Sequence, residues 1–512
     1  MIARLPSRNW NFDTAAHLLV RAGFGGTPAE IDSLARQGME AAVNSLLYGA
    51  PESVQPPSWA VPRSLRALQL EVRQTADPEE KRELKKQVQR RANEELSDLL
   101  HWWILRMTQT RAPLVENMTL FWHGHFATSA DKVRQPHKTW LQNETFRAHA
   151  LGNFGVLVKA ISRDPAMMVW LDLVQSNKNK PNENFARELM ELFTLGEGHY
   201  TESDVKESAR AFTGYRIDPL TESFRFAAKQ HDPALKTFLQ KTGPWDGDQI
   251  IDIILAQPAC TRFLVTKLWK YFAYDNPPPE LVESLASQFR AAHYELRPLL
   301  ETIFTSEEFY GNRAMNTQIK SPVQLVIQGS RSVGLPVLEG EYLRAGLRQL
   351  GQVPLYPPYV KGWEGGKSWI NTATLTARYE FARQLVVGVN HRRLGLPRPP
   401  KPIPPLAEPP PKNERWPLGL AQNPSSGVMF TQPPPPRITA PLEISRLVTE
   451  KDRHQPEKAV RELFVRVFQT SPKPALMNEF QQLASTKGIP LDDPAIREIV
   501  ALMMSTPHYQ LC

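Results

Sequence analysis

Two histidines stand two residues apart in PLVENMTLFWHGHFATSADKV, Pro113 to Val133. Imidazoles this close, with Ser129 and Asp131 downstream, could supply ligands for a divalent metal or an acid–base pair. On a continuing helix His123 and His125 point about 200° apart and cannot share one ion. If Gly124 ends the helix, His123, His125 and Asp131 can converge as metal ligands. The plainer alternative is a packed helix end with His125 as a hydrogen-bonded core histidine. The lack of a further Glu or His at ligand spacing favours it. Pro113 suits a helix start, and Leu114, Met118, Phe121, Trp122 and His125 share one face. Burying that face carries His125 inward, where an unpaired polar group costs about 1–3 kcal/mol. The expected partners are the polar groups of Asn184 to Glu191, met by both histidines across a shared cleft. A carboxylate meeting His125 there would raise its pKa.

Those groups belong to a second dense segment, KPNENFARELMELFTLGEGHYTESDVKESARAFTGY, Lys180 to Tyr215. Asn182 caps a helix whose apolar face is Phe185, Leu189, Leu192 and Phe193. Asn184, Arg187, Glu188 and Glu191 make the opposed face, and Thr201 with Asp204 forms a capping box for the next helix. Glu188 beside Arg187 reads as a catalytic carboxylate with its tuning cation, near His199, Glu207 and Arg210. On spacing alone a surface ion-pair ladder fits as well. A third candidate is His231-Asp232-Pro233, a proton or metal site or an Asx-type turn. A fourth is the loop LGQVPLYPPYVKGWEGGKSWINTATL. Tyr359, Trp363 and Trp369 there form a platform for a flat ligand such as a sugar ring, or a satellite core under a long loop. KGWEGGKS lacks the spacing of a phosphate loop.

The elements that must position these residues read as helices. Asp13 or Thr14 caps the first, and Thr27, Pro28 and Glu30 open the second. Asp77 to Thr108 reads as one long helix. Its run EKRELKKQVQRRANEEL is a solvated face rather than a nucleic-acid stripe. Alternating apolar runs are scarce, so the fold class is all-α. The division is a main helical domain (10–390), a Pro-rich linker or strap (391–441) and a small C-terminal helical unit (442–512), either packed on the main domain or separate from it. LLETIFTSEEFY (299–310) and IVALMMSTPHYQ (499–510) align at an offset of two hundred. At that offset Phe263, Leu264 and Leu268 match Leu463, Phe464 and Phe468. Either a helical unit is duplicated, or amphipathic helices resemble each other through periodicity alone.

Composition narrows the function classes. Apolar residues make up 41% of 512, enough for a large core. The charge of +8 is modest and interleaved, so nucleic acid is not an expected partner. The two cysteines, Cys260 and Cys512, make no disulfide framework. With no run of eighteen apolar residues and no apolar leader, no membrane span is expected. The expected location is the cytoplasm, or export if the start is misassigned.

AAHLLVRAGFGGTPAEID, MTLFWHGHFATSADKV, the Asn182–Tyr215 segment, HDPALKTFLQKTG and YPPYVKGWEGGKSWINTATLTARYEF occur in that order. Together they resemble the bacterial domain of unknown function 1800 family, from about His17 to Phe381 with a weaker C-terminal echo. The resemblance implies a large, mostly helical domain with no established activity. It also implies frequent export signals and a sulfatase-like partner encoded nearby. Gly124 stands where that family often has Asn, and Tyr215 where it often has Trp.

Two functions follow. One is an enzyme, metal-dependent or acid/base, acting on a glycan or other polymer. Its catalytic candidates are Glu188, Arg187, His125, His231 and Asp232. The other is a non-catalytic binding or assembly protein working with a sulfatase-like enzyme. Proline density between Leu396 and Pro441 removes backbone donors and helical continuity. Limited proteolysis is therefore expected to cut first in that segment, and a first cut within the helical body would refute this.

Overall fold

Cap chemistry starts most of the helices. Thr27 Oγ1 accepts the Glu30 N–H at 3.3 Å while the Glu30 carboxylate accepts the Thr27 N–H at 2.7 Å. Asp77 accepts the Glu80 N–H at 2.8 Å and opens the longest helix, Pro78–Gln109. The first helix, Phe12–Ala22, is capped by Asn11, with Thr14 as its reciprocal partner rather than the cap.

The computed structural model describes residues 2–49, 54–60, 64–219, 221–334, 340–387 and 442–512. The Pro-rich stretch Leu396–Pro441 lies outside them. Among the described residues there are twenty-three α-helices and two small antiparallel hairpins, so the fold is all-α. The hairpins pair Tyr215–Ile217 with Phe224–Phe226 and Lys236–Phe238 with Lys241–Gly243. No described helix is long and apolar enough to cross a membrane.

The second hairpin lacks the usual turn signal in the sequence. Its turn is Leu239-Gln240, with φ of 43° and 66°. Such turns normally announce themselves by Asn-Gly or Asp-Gly. Here the positive-φ backbone is held from outside. Asp204 accepts the Leu239 N–H at 2.7 Å and Glu207 accepts the Thr237 N–H at 3.0 Å.

Two hydrophobic cores share the chain. The first is built around the helices Phe12–Ala22, Met39–Tyr48, Pro258–Phe272 and Leu296–Thr305. The second joins the C-terminal half of Pro78–Gln109 to Pro322–Val333, Thr372–Val387 and the helices after residue 442. Helices from both sides of the Pro-rich stretch thus bury one another. The Pro113–His125 helix serves both, giving Met118 and Trp122 to the first core and Leu120 to the second.

The offset of two hundred marks a repeated structural unit. Helices Pro258–Phe272, Pro279–Ala291 and Leu296–Thr305 lead into a 3-10 turn at Glu307–Tyr310. Helices Pro456–Phe468, Pro474–Ser485 and Asp493–Met504 lead into one at Pro507–Gln510. The closing turns are capped alike. Ser306 accepts the Phe309 N–H and Thr506 the Tyr509 N–H, both at 3.3 Å. Leu299, Ile303 and Phe304 are buried in one core, and Ile499, Met503 and Met504 in the other. Periodicity alone does not reproduce the element order and the cap chemistry together.

One buried ionic knot ties three helices. Glu116, 1% exposed, accepts from Arg106 Nε at 2.6 Å, from Arg147 Nε at 2.6 Å and from Trp103 Nε1 at 3.1 Å. Both guanidinium groups also lie over the Trp102 ring, at 5.4 and 5.3 Å. Removing one member of a buried ion pair leaves uncompensated charge. Glu116→Ala is expected to cost about 3–5 kcal/mol in urea unfolding. A loss below about 1 kcal/mol, the scale of a surface pair, would show that the knot contributes little.

Candidate functional site

The Pro113–His125 helix ends on its second histidine, with Phe126 as C-cap. His125 points into the first core and donates from Nε2 to the Phe193 carbonyl at 3.0 Å. That carbonyl closes the helix begun at Glu183, whose last residues, Leu189–Thr194, widen into a π-helical turn. Helix ends leave carbonyls without intrahelical partners, and here two foreign side chains supply the donors. Lys267 Nζ donates to Leu192 O at 2.9 Å and lies 3.4 Å from His125 Nδ1. A cation also suits the negative end of the helix dipole. His125 therefore meets a backbone carbonyl just past Asn184–Glu191 and not the polar groups expected there, with a lysine beside it where a carboxylate was expected. Its pKa is correspondingly lowered, chiefly by burial and then by the Lys267 charge. Burial also pulls Lys267 down to about 8.

His123 faces the second core instead. Its Nε2 accepts the Leu355 N–H at 2.9 Å, and Leu355 O accepts the Ala130 N–H at 2.9 Å. Leu355 has φ of 71°, a costly conformation for a branched side chain, and is held by both of its backbone groups. This anchors the loop that runs on to Trp369. Gly362, at φ 76°, lies against Gly124, where an added Cβ would stand 2.2 Å from the Gly124 carbonyl oxygen. Trp363 comes 5.7 Å from the His123 ring. Burial alone lowers His123 to about 3.

The proposed metal set does not assemble. His123 and His125 are engaged by separate elements, and Asp131 is exposed, its N–H turned to Ser129 Oγ at 3.3 Å. Among the described residues no group of three or more His, Cys, Asp or Glu is placed to hold a metal ion. The aromatic residues of the loop differ in exposure: Tyr359 is 71% exposed, Trp363 half-buried and Trp369 8% exposed.

Most polar residues of the second and third segments are fasteners. Arg187 grips Glu202 at 2.6 and 2.8 Å. Arg210 donates to Asp232 at 2.7 Å, to Glu207 at 2.9 Å and to Leu235 O at 3.2 Å, tying the Glu202–Ala211 helix to the 231–235 turn. Asp232 accepts the Ala234 N–H, which makes that turn an Asx turn. His231 Nδ1 donates to Thr213 O at 3.0 Å.

Glu188 is different. Its carboxyl has no hydrogen-bond or ion-pair partner among the described residues. Burial and the neighbouring Glu191 raise it to about 7, against the pull of Arg187 and Lys361. Glu191 accepts from the Tyr200 hydroxyl at 3.1 Å. Lys267 and Lys361 are the members of these environments that sequence reading missed. Lys267 did carry a signal, a lone cation among the buried positions Leu264, Val265, Leu268 and Trp269.

A family model described as a protein of unknown function, DUF1800, matches residues 17–511. The chain belongs to that family. The match runs through both cores and past the weaker C-terminal echo to the last helical turns. No curated protein matches the chain, and no solved structure does.

The two buried histidines give this family member an acid sensitivity of definite sign. For His123 the unfolded chain takes a proton as pH falls through about 6.5, while the folded chain resists until about 3. Its contribution to stability is full above pH 6.5 and is lost toward pH 3. The stability difference between the wild type and His123→Phe should therefore shrink on acidification, by up to about 1.4 kcal/mol per pH unit. Urea unfolding from pH 7 to 4 measures it. The comparison cancels Glu188, whose raised pKa acts in the opposite direction. A difference independent of pH would mean that His123 titrates normally.

Proposed function

We propose that this chain is a non-catalytic binding or assembly protein that works with an enzyme partner. The observation that carries this reading is dispersal. His123 is engaged by the loop at Leu355, His125 by the helix end at Phe193, and the adjacent His231 and Asp232 by the Arg210–Thr213 segment, three separate places in the fold. Their partners are mostly backbone groups, which suits residues that fix helix packing. A sulfatase-like enzyme is the proposed partner, on the family resemblance.

A second reading rests on Glu188. A partly buried, unpartnered carboxyl held near neutral pH beside a second carboxylate can transfer protons, as a glycan-cleaving enzyme would require. Co-expression with a sulfatase-like protein, followed by size-exclusion chromatography, separates the two. The assembly reading expects a complex that forms equally well with Glu188→Gln. Turnover of a glycan by the chain alone, abolished by Glu188→Gln, would replace it with the second reading. Elemental analysis is expected to find no stoichiometric metal in the wild type or in His125→Ala. One metal per chain, lost in that variant, would overturn the reading of the histidine pair.

A further inference from the structure

A groove of about 350 Å³ opens between the helical hairpin Ser64–Gln74/Pro78–Gln109 and the tip of the Tyr215–Phe226 hairpin. A smaller void adjoins it, with Gln69, Gln135 and Glu222 lining both. None of the residues discussed above as candidates reaches it.

The acceptors on its wall are already engaged. Glu222, at φ 57°, lies 3.2 Å from Lys138 Nζ and 3.5 Å from His137 Nδ1. Asp218 accepts from the Thr221 N–H at 2.9 Å and hydroxyl at 3.1 Å. Glu95, 2% exposed, accepts from Arg91 at 3.1 Å. The donors are in surplus. Arg73 and Lys85 line the groove, and Arg66 the smaller void, without a hydrogen-bond or ion-pair partner among the described residues. Trp59 lines the inner void at 5% exposure, and its buried indole N–H has no acceptor among the described residues. A buried donor left unpaired costs about 1–3 kcal/mol, and a ligand oxygen would remove that cost.

We propose that this groove binds an oxyanion, a carboxylate, sulfate or phosphate, carried on a small polar molecule. Arg73 and Lys85 supply the charge at the mouth, Lys138 stands on the wall, and Trp59 offers the inner donor. The volume lies at the small end of ligand pockets, enough for one compact ligand. The site is independent of the partner role proposed above.

The test titrates the full-length protein with inorganic sulfate, inorganic phosphate, glucuronate and neutral glucose. Binding is read by calorimetry and by the indole N–H resonance that Trp59→Phe removes. One site is expected for at least one of the anions and none for glucose. Tighter binding of glucuronate than of either free ion would assign the anion to a sugar, and the reverse to a free oxyanion. The double variant Arg73→Ala/Lys85→Ala, both surface positions, should weaken binding about tenfold or more. Arg90→Ala, farther along the same long helix and not among the groove's lining residues, should leave it unchanged. Equal losses in the two variants would reveal diffuse charge attraction. That outcome, undiminished binding in the double variant, a Trp59 resonance that never moves, or no binding to any anion would overturn the proposal.

Discussion

The structure depends on donors that reach the backbone carbonyls left open where buried helices end. An all-helical chain creates many such ends, and each leaves carbonyls without intrahelical partners. Distant side chains fill that need repeatedly. His17 meets Phe309 O at 3.0 Å, and Arg21, 1% exposed, meets Ala273 O at 2.7 Å. Arg297 donates to Leu47 O and Arg497 to Val386 O. His125 and Lys267 do the same for the π-helical turn.

This requirement explains why residues that suggest catalysis turn up as fasteners. A buried carbonyl needs a donor with reach, and His, Lys and Arg supply one. They are also the residues of metal sites and proton transfer. What separates the uses is where the remaining nitrogen or oxygen atoms point. Both ring nitrogens of His125 are taken, one by a carbonyl and one by an ammonium. The Glu116 knot likewise fills its carboxylate from two guanidinium groups and an indole. Glu188 and the Trp59 indole stand apart because, among the described residues, their polar atoms lack protein partners.

The repeated unit shows the same economy of design at larger scale. Each copy ends in a 3-10 turn that buries an aromatic residue, Phe309 or Tyr509, in its own core. The two cores meet where the chain end returns: Cys512 N–H donates to Gln318 O at 2.8 Å and Lys320 N–H to Gln510 O at 2.9 Å. The Pro113–His125 helix crosses that junction, so its two histidines serve different cores.

Local chemistry made much of the fold legible. Asp77, Thr27, Asn182 and Thr201 each mark a helix start through a hydrogen bond to a residue two or three positions on, a distance that sequence spacing specifies. The start at Pro113 and the stop near Gly124 were readable from residue type instead, with no cap bond at Ala112. The hairpin at Leu239-Gln240 was not, because its positive-φ turn is held by Asp204, thirty-five residues away, and not by its own side chains. Nor could spacing show that His123 would meet Leu355, 232 positions on, or that His125 would find a carbonyl and a lysine where a carboxylate was expected. By itself the sequence determined the helices, their caps and the inward face that buries His125. Which atom each buried histidine meets was decided only by tertiary packing, because hydrogen bonds act over about 3 Å and partners that far apart in sequence meet only once the cores have formed.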